Sequence, residues 1–241
     1  MTFELLLAIV ALVAGAIASV SGFGIGSILT PLLGLQIGVK LAVVAVSIPH
    51  VIGTALRFWT LRHRVDKEVL KTFGLMSAAG SLVGALLHNV ASSPSLRIVF
   101  AVILIVAGAL GVTGWSDRLR FGRAGAWVAG GVSGMLGGLI GNQGGIRAAA
   151  MLAFDVPKEA FVATATAIAL IVDAVRMPIY VVTEGRSLIT AWPLIAIAAV
   201  AVIIGTLTGR AVFGWIPEKI FRRVVAALIL ALGVGMLLSA G

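Results

Sequence analysis

Between Glu4 and Lys40 the chain carries no Asp, Glu, Lys or Arg. Equally charge-free runs lie between Lys71 and Arg97, Arg97 and Asp117, Arg123 and Arg147, Arg186 and Arg210, and beyond Arg223. About 20 apolar residues in a helix cross the hydrocarbon of a bilayer, and no water-soluble core hides so many such runs in one chain of this size. With 60% of its 241 residues hydrophobic and 11% charged, the sequence has length for about eight to ten membrane passes. It reads as an all-α polytopic membrane protein whose first partner is the lipid bilayer. Eighteen Lys and Arg oppose nine Asp and Glu. On a soluble chain that balance points to nucleic acid; here it places basic loops against anionic headgroups, and no nucleic-acid partner is expected.

The chain has no cysteine, which excludes disulfides, thiol nucleophiles and Cys-based metal or iron–sulfur sites. His50, His63 and His88 stand at no metal-ligand spacing, so neither a metal nor a cofactor is expected. No nucleophile–base arrangement, carboxylate pair or phosphate-binding loop occurs, which argues against an enzyme or an ATP-driven pump; uphill transport would then draw on an ion gradient. Ala16-Ile17-Ala18 has the form of a signal-peptidase site, but the segment before it carries Glu4 instead of a basic region, and it reads as a retained helix.

An internal repeat organises the sequence. At an offset of 119, Gly15, Gly22, Gly26, Leu33 and Arg57 fall on Gly134, Gly141, Gly145, Leu152 and Arg176; at 125, Gly80, Gly84, Arg97 and Gly108 fall on Gly205, Gly209, Arg222 and Gly233. The six additional residues sit around Glu184–Thr190, read as a loop. The expected domains are residues 1–116, a cytoplasmic linker 117–123, and residues 124–241. Each half begins with an apolar arm (Phe3–Val20; Ala124–Ile140), a glycine-rich break (Ser21–Gly26; Gly141–Gly145) and a short return arm (Ser27–Ile37; Ile146–Phe154). Three ordinary spans follow: Leu41–Leu61, Val69–Val90 and Leu96–Trp115, then Ala160–Val182, Leu188–Phe213 and Ile220–Leu238. A return arm of about ten residues covers only half the hydrocarbon, so each break is expected at depth.

Basic residues decide the topology. If each first element crossed once, the two faces would hold eight and six Lys and Arg. If it enters and leaves on one face, they hold eleven (Arg62, Arg64, Lys67, Lys71, Arg118, Arg120, Arg123, Lys158, Lys219, Arg222, Arg223) and three (Lys40, Arg97, Arg186). The positive-inside rule selects the second arrangement. The halves then form an inverted-topology repeat of about 5+5 membrane segments with glycine-rich, re-entrant hairpins, and both termini lie outside the cytoplasm.

A helix unwound inside hydrocarbon must have its free N–H and C=O groups satisfied by a cavity, a polar solute or protein, and the N–H groups opening the following arm favour an anion. On that ground Gly24, Gly26, Asn142, Gln143, Gly144 and Gly145 are binding candidates, whereas Gly80, Gly84, Gly205 and Gly209 read as close-packing glycines. Arg147, two residues past Gly145 in an apolar run, needs a partner, water or an anion. Asp173 precedes Arg176 by one helical turn and neutralises part of its charge. Arg57, the repeat counterpart of Arg176, follows Thr54 instead of an acid; it either snorkels to the interface or serves the site. Arg210 reads as an interfacial anchor. Ser47 and Thr166 are polar mid-span residues at equivalent positions. Pro49 loosens the helix beside His50, which is either a packed histidine or a proton carrier with its ordinary titration near neutrality.

At both breaks and the polar spans after them the chain resembles the TauE/SafE sulfite exporter family, also described as 4-toluene sulfonate uptake permeases. The resemblance rests on Ser21-Gly-Phe-Gly-Ile-Gly-Ser-Ile-Leu-Thr-Pro31 with the following Leu-Leu, on Gly138-Leu-Ile-Gly-Asn-Gln-Gly-Gly145, and on Phe154-Asp-Val-Pro-Lys-Glu-Ala160 leading into Ala163-Thr-Ala-Thr166. The family's usual break has further glycines and a Pro-Leu-Leu turn. Here Ser27 replaces a glycine, Ala150 stands for the second proline, and Asn142, Gln143 and Arg147 are added. The resemblance implies export of small sulfur-containing anions, such as sulfite or an organosulfonate like sulfoacetate, driven by the proton motive force across a bacterial inner membrane.

The expected protein is a secondary active transporter working by alternating access. Its substrate-binding residues are Gly24, Gly26, Ser47, His50, Asn142, Gln143, Gly144, Gly145, Arg147 and Thr166, and coupling to protons or charge falls to His50, Asp173, Arg176 and Arg57. A passive anion channel and a non-transporting membrane scaffold are the alternatives, and a homodimer is left open.

Overall fold

The computed structural model describes residues 2–115, 123–141, 144, 147, 151, 157–213 and 218–238. Every regular element among them is helical: α1 (Thr2–Ser21), α2 (Ile25–Ile37), α3 (Val39–Leu61) with a 3₁₀ turn at Arg62–Arg64, α4 (Lys67–Val90), α5 (Ser93–Thr113), α6 (Arg123–Ile140), α7 (Lys158–Phe213) and α8 (Glu218–Leu238). Among the described residues, five helical stretches are long and apolar enough to cross a membrane: Thr2–Val20, Val39–Arg64, Lys67–Val90, Ser93–Thr113 and Glu159–Gly209. Large apolar side chains such as Leu5, Leu75, Val90, Val182 and Leu207 point outward, as they do where lipid replaces water as the solvent.

Local chemistry sets the helix ends. Asp66 caps α4 by accepting from the N–H groups of Glu68 at 2.9 Å and Val69 at 3.0 Å, and Ser92 with Pro94 opens α5. α1 and α2 are separated at Gly22–Gly24. There the backbone takes φ of +84° and +128°, the second open to few residues but glycine.

Glycines let the helix axes approach closely. A Cβ on Gly80 or Gly84 of α4 would overlap the backbone of Gly131 or Met135 in α6, and one on Gly205 or Gly209 of α7 would overlap that of Leu12 or Ala16 in α1. Gly108 of α5 meets Leu230 of α8, while Gly233 of α8 meets Ile105 of α5. Such small-residue contacts are how helices associate where burial from water supplies no driving force.

α7 differs from the sequence reading, which placed a loop at Glu184–Thr190 between two spans; helical backbone runs through it. No proline lies between Pro178 and Pro193, and Thr183, Glu184, Arg186 and Ser187 are all compatible with helical dihedrals. A straight helix would separate Asp173 from Val202 by about 44 Å. Yet Asp173 bonds His50 and Val202 packs on Gly53, within one turn of each other on α3. α7 therefore folds back between these residues, and its two arms flank α3 as two spans would.

One end of the molecule gathers Lys40, Asn89, Ser93 and Glu184, with Lys40 Nζ donating to Asn89 O at 2.8 Å and 3.9 Å from Glu184. The other gathers the Arg62–Arg64 turn, Asp66 and Glu159, with Arg64 paired to Glu159 and the N–H of Asp66 donating to Thr164.

Candidate functional site

Ser47, His50, Thr54 and Arg57 recur at three- and four-residue spacing and share one face of α3. The first arm of α7 lies antiparallel to it. Ser47 Oγ meets Met177 Sδ at 2.8 Å, His50 Nδ1 donates to Asp173 Oδ2 at 2.8 Å, and Arg57 Nε donates to Thr166 Oγ1 at 3.0 Å. Asp173 takes a second partner on its own helix: Arg176 Nε and Nη2 reach Oδ1 at 2.9 and 2.7 Å. The carboxylate is thus held between an imidazole and a guanidinium at 1% exposure.

At the ends of the two arms that precede the breaks, side chains add donors to the last carbonyls, of which Ala18 O and Gly137 O also accept from the N–H groups of Gly22 and Gly141. A helix leaves its last carbonyls without intrahelical partners, and in hydrocarbon no water replaces them. At the end of α6 three consecutive carbonyls accept from buried donors: Gly137 from Arg176 Nη1 at 2.7 Å, Gly138 from the Tyr180 hydroxyl, and Leu139 from His88 Nδ1 at 2.8 Å. At the end of α1, Ala18 O accepts from Arg57 Nη1 at 2.6 Å. Each arginine also meets the negative end of a helix dipole.

The two breaks are neighbours. A Cβ built on Gly26 would stand 2.5 Å from Gly141 O, and Gly144 packs directly on Phe23. Gly24 opens α2 without a side-chain cap, leaving the positive end of that helix at the break. Arg147 is 3% exposed and its Nη1 is buried without a hydrogen-bond partner.

Of the residues singled out from sequence, Ser47, His50, Arg57, Thr166, Asp173 and Arg176 share the α3–α7 interface, Gly26 and Gly144 lie where the breaks meet, and Arg147 is buried. Asn142, Gln143 and Gly145 lie outside the described residues. Snorkelling does not describe Arg57, which is 6% exposed and bonded inward. Sequence reasoning passed over Tyr180 and the capping role of His88. The one tyrosine of the chain, a turn beyond Arg176, was a signal for the former; nothing local signals the latter, whose partner is 51 residues away.

A multi-pass helical membrane protein with three arginines and one aspartate buried about two adjoining glycine breaks belongs with proteins that pass ions or polar solutes. The sequence matches the sulfite exporter TauE/SafE family over residues 7–236, and the chain belongs to that family of membrane transporters. No curated protein and no solved structure gives a match.

Proposed function

We infer that the protein is a secondary active transporter that carries small sulfur-containing oxyanions, sulfite or an organosulfonate such as sulfoacetate, by alternating access. The observation that carries this reading is a charge imbalance. Among the described residues the buried ionised groups are Arg57, Arg147, Arg176 and Asp173, a formal excess of two positive charges in a low-dielectric interior. Helix ends offset part of it at Arg57 and Arg176, whereas Arg147 Nη1 has no hydrogen-bond partner. Unpaired buried cations are costly enough that an anion in the same chamber is their natural complement. An oxyanion with three oxygens suits guanidinium and backbone donors.

Corresponding contacts support an inverted repeat of residues 1–116 and 124–241 as its framework. Gly80 against Gly131 and Gly205 against Leu12 correspond at the offsets of 125 and 119, as do Arg57 on Ala18 and Arg176 on Gly137. With the breaks in contact, the substrate sits between them, bound by Gly24, Gly26, Asn142, Gln143, Gly144, Gly145 and Arg147 and lined by Ser47, His50 and Thr166. His50, bonded to Asp173 between α3 and α7, is the candidate to carry the coupling proton. The basic end at Arg62–Arg64 supports a cytoplasmic position for that face, with both termini outside, and export from a bacterial cell is the direction that membership of the sulfite exporter family suggests.

Thermal unfolding of purified protein with sulfite, sulfoacetate and carboxylate controls tests the substrate class, since a ligand of the folded state raises its melting temperature. The sulfur oxyanions raise it and Arg147→Ala abolishes the rise; no rise in the unaltered protein sinks the reading. In proteoliposomes an imposed pH gradient drives anion accumulation by a coupled transporter, whereas a passive channel gives flux indifferent to the proton gradient at fixed membrane potential.

A further inference from the structure

Arg57 and Arg176 make corresponding bonds, yet only one of them has a counter-ion. Each donates Nη1 to a carbonyl in the last turn of the arm before a break, Ala18 and Gly137 respectively. The two donors are 119 residues apart and so are the two acceptors. What differs is the residue one turn earlier on the same helix. Before Arg176 stands Asp173, bonded to it. Before Arg57, 119 residues ahead of Asp173, stands Thr54, fully buried, with a hydroxyl that has no hydrogen-bond partner. The bonds of Arg57 go to neutral oxygens of Thr166 and Ala18, and among the described residues no carboxylate pairs with it. Arg147, which follows the second break where it adjoins the first at Gly26 and Gly141, has an unpartnered Nη1 as well. Arg57 without a carboxylate of its own, an unpartnered Arg147 Nη1 and an idle hydroxyl one turn from Arg57 are buried donors that an anion would satisfy.

We propose that the transported anion is anchored between Arg57 and Arg147 with the Thr54 hydroxyl as a further donor, and that the uncharged side chain at position 54 makes this half of the chain receptive to an anion. The proposal rests on the transport reading above and assigns the anchor within it. Asp173 withdraws Arg176 from binding by occupying it permanently, so the two halves have diverged into a structural arginine and a ligand arginine. The ligand class is a small oxyanion with three acceptor oxygens, one for each donor, which sulfite and alkanesulfonates provide and a carboxylate does not. A carboxylate introduced at position 54 does for Arg57 what Asp173 does for Arg176: it becomes the internal anion and displaces the external one.

Protein reconstituted in lipid nanodiscs is titrated with sulfite and with methanesulfonate, the latter because it stays ionised throughout the neutral range, and binding is read by calorimetry and thermal shift. Thr54→Asn, which alters the hydrogen bonding but adds no charge, weakens binding by about threefold. Thr54→Asp weakens it by about 100-fold or more while melting no lower than Thr54→Asn without ligand. Equal affinities in the Asp and Asn variants overturn the proposal. If Thr54→Asp does not fold, Arg57→Gln decides: a loss of about tenfold or more, partly restored in Arg57→Lys, supports the anchor, and unaltered affinity in Arg57→Gln overturns it. Failure of the unaltered protein to bind either anion is a different result, and it overturns the transport reading itself.

Discussion

Asp173 shows how burial changes the worth of a charge. On the sequence it is half of an ordinary pair one helical turn from Arg176, a spacing that contributes only a few tenths of a kcal/mol on an exposed helix. In the fold the carboxylate is 1% exposed and also accepts from His50, 123 residues away in the chain. Removing one partner of a buried pair leaves the other uncompensated, so Asp173→Asn should cost about 3–5 kcal/mol of stability. The loss is read as a lowered melting temperature in the absence of ligand. Arg64 and Glu159 form the opposite case, 2.5 Å apart but each about 65% exposed. Arg64→Ala should cost under about 1 kcal/mol in the same assay, and similar losses in the two variants would refute the assigned difference. The sequence alone picked out Arg57, Arg147, Asp173 and Arg176, because an ionised group in an apolar run is conspicuous without a fold. A lone tyrosine one turn beyond Arg176 was conspicuous too, but which carbonyls of α6 it and His88 satisfy is decided only when α4, α6 and α7 pack together.

Among elements, glycine position separates packing from freedom. A Cβ on Gly205 would overlap the backbone of α1, whereas nothing lies within 4 Å of one built on Gly185. Gly205→Ala should therefore push α1 from α7 and lower stability by about 1–3 kcal/mol. Gly185→Ala, in helical backbone with open space, should be neutral or stabilising by up to about 1 kcal/mol. Thermal unfolding of the two variants in one lipid environment checks both; a tolerated Gly205→Ala would show that the close approach of α1 and α7 is not needed. The breaks were visible as runs of glycine, and their mutual contact at Gly26 and Gly141 was not, because glycine content says where a helix can stop but not what it stops against. The turn inside α7 was misjudged for a related reason. Polar residues at Thr183–Ser187 mark an excursion from the membrane equally well whether the backbone there stays helical or leaves the helix.

The whole molecule has two chemically distinct ends, and single-site labelling reports which way they face. With no cysteine in the chain, Thr2→Cys and Lys71→Cys each create a unique probe. α1 runs in the same sense as the second arm of α7, Leu12 beside Gly205 and Ala16 beside Gly209, and that arm begins near Glu184, which pairs with Lys40. Residue 2 should therefore react with an impermeant maleimide from outside intact cells and residue 71 only after permeabilisation; reactivity of both from the same face removes the re-entrant arrangement. Trp59, 68% exposed with the Arg62 guanidinium 4.0 Å over its ring, has the amphipathic form expected at the basic interface.

Membrane residence, a helical fold and the position of the first break at Gly22–Gly24 follow from the order of residues, because hydropathy over about 20 residues and the backbone freedom of glycine are local quantities that no later packing reverses. Which charges are neutralised was decided by tertiary structure. Asp173 found His50, Arg57 found a carbonyl of α1 instead of the interface, and Arg147 was left without a hydrogen bond at Nη1. In a medium without water the worth of each polar group depends on the atom set beside it, and those neighbours come from helices far apart in the chain.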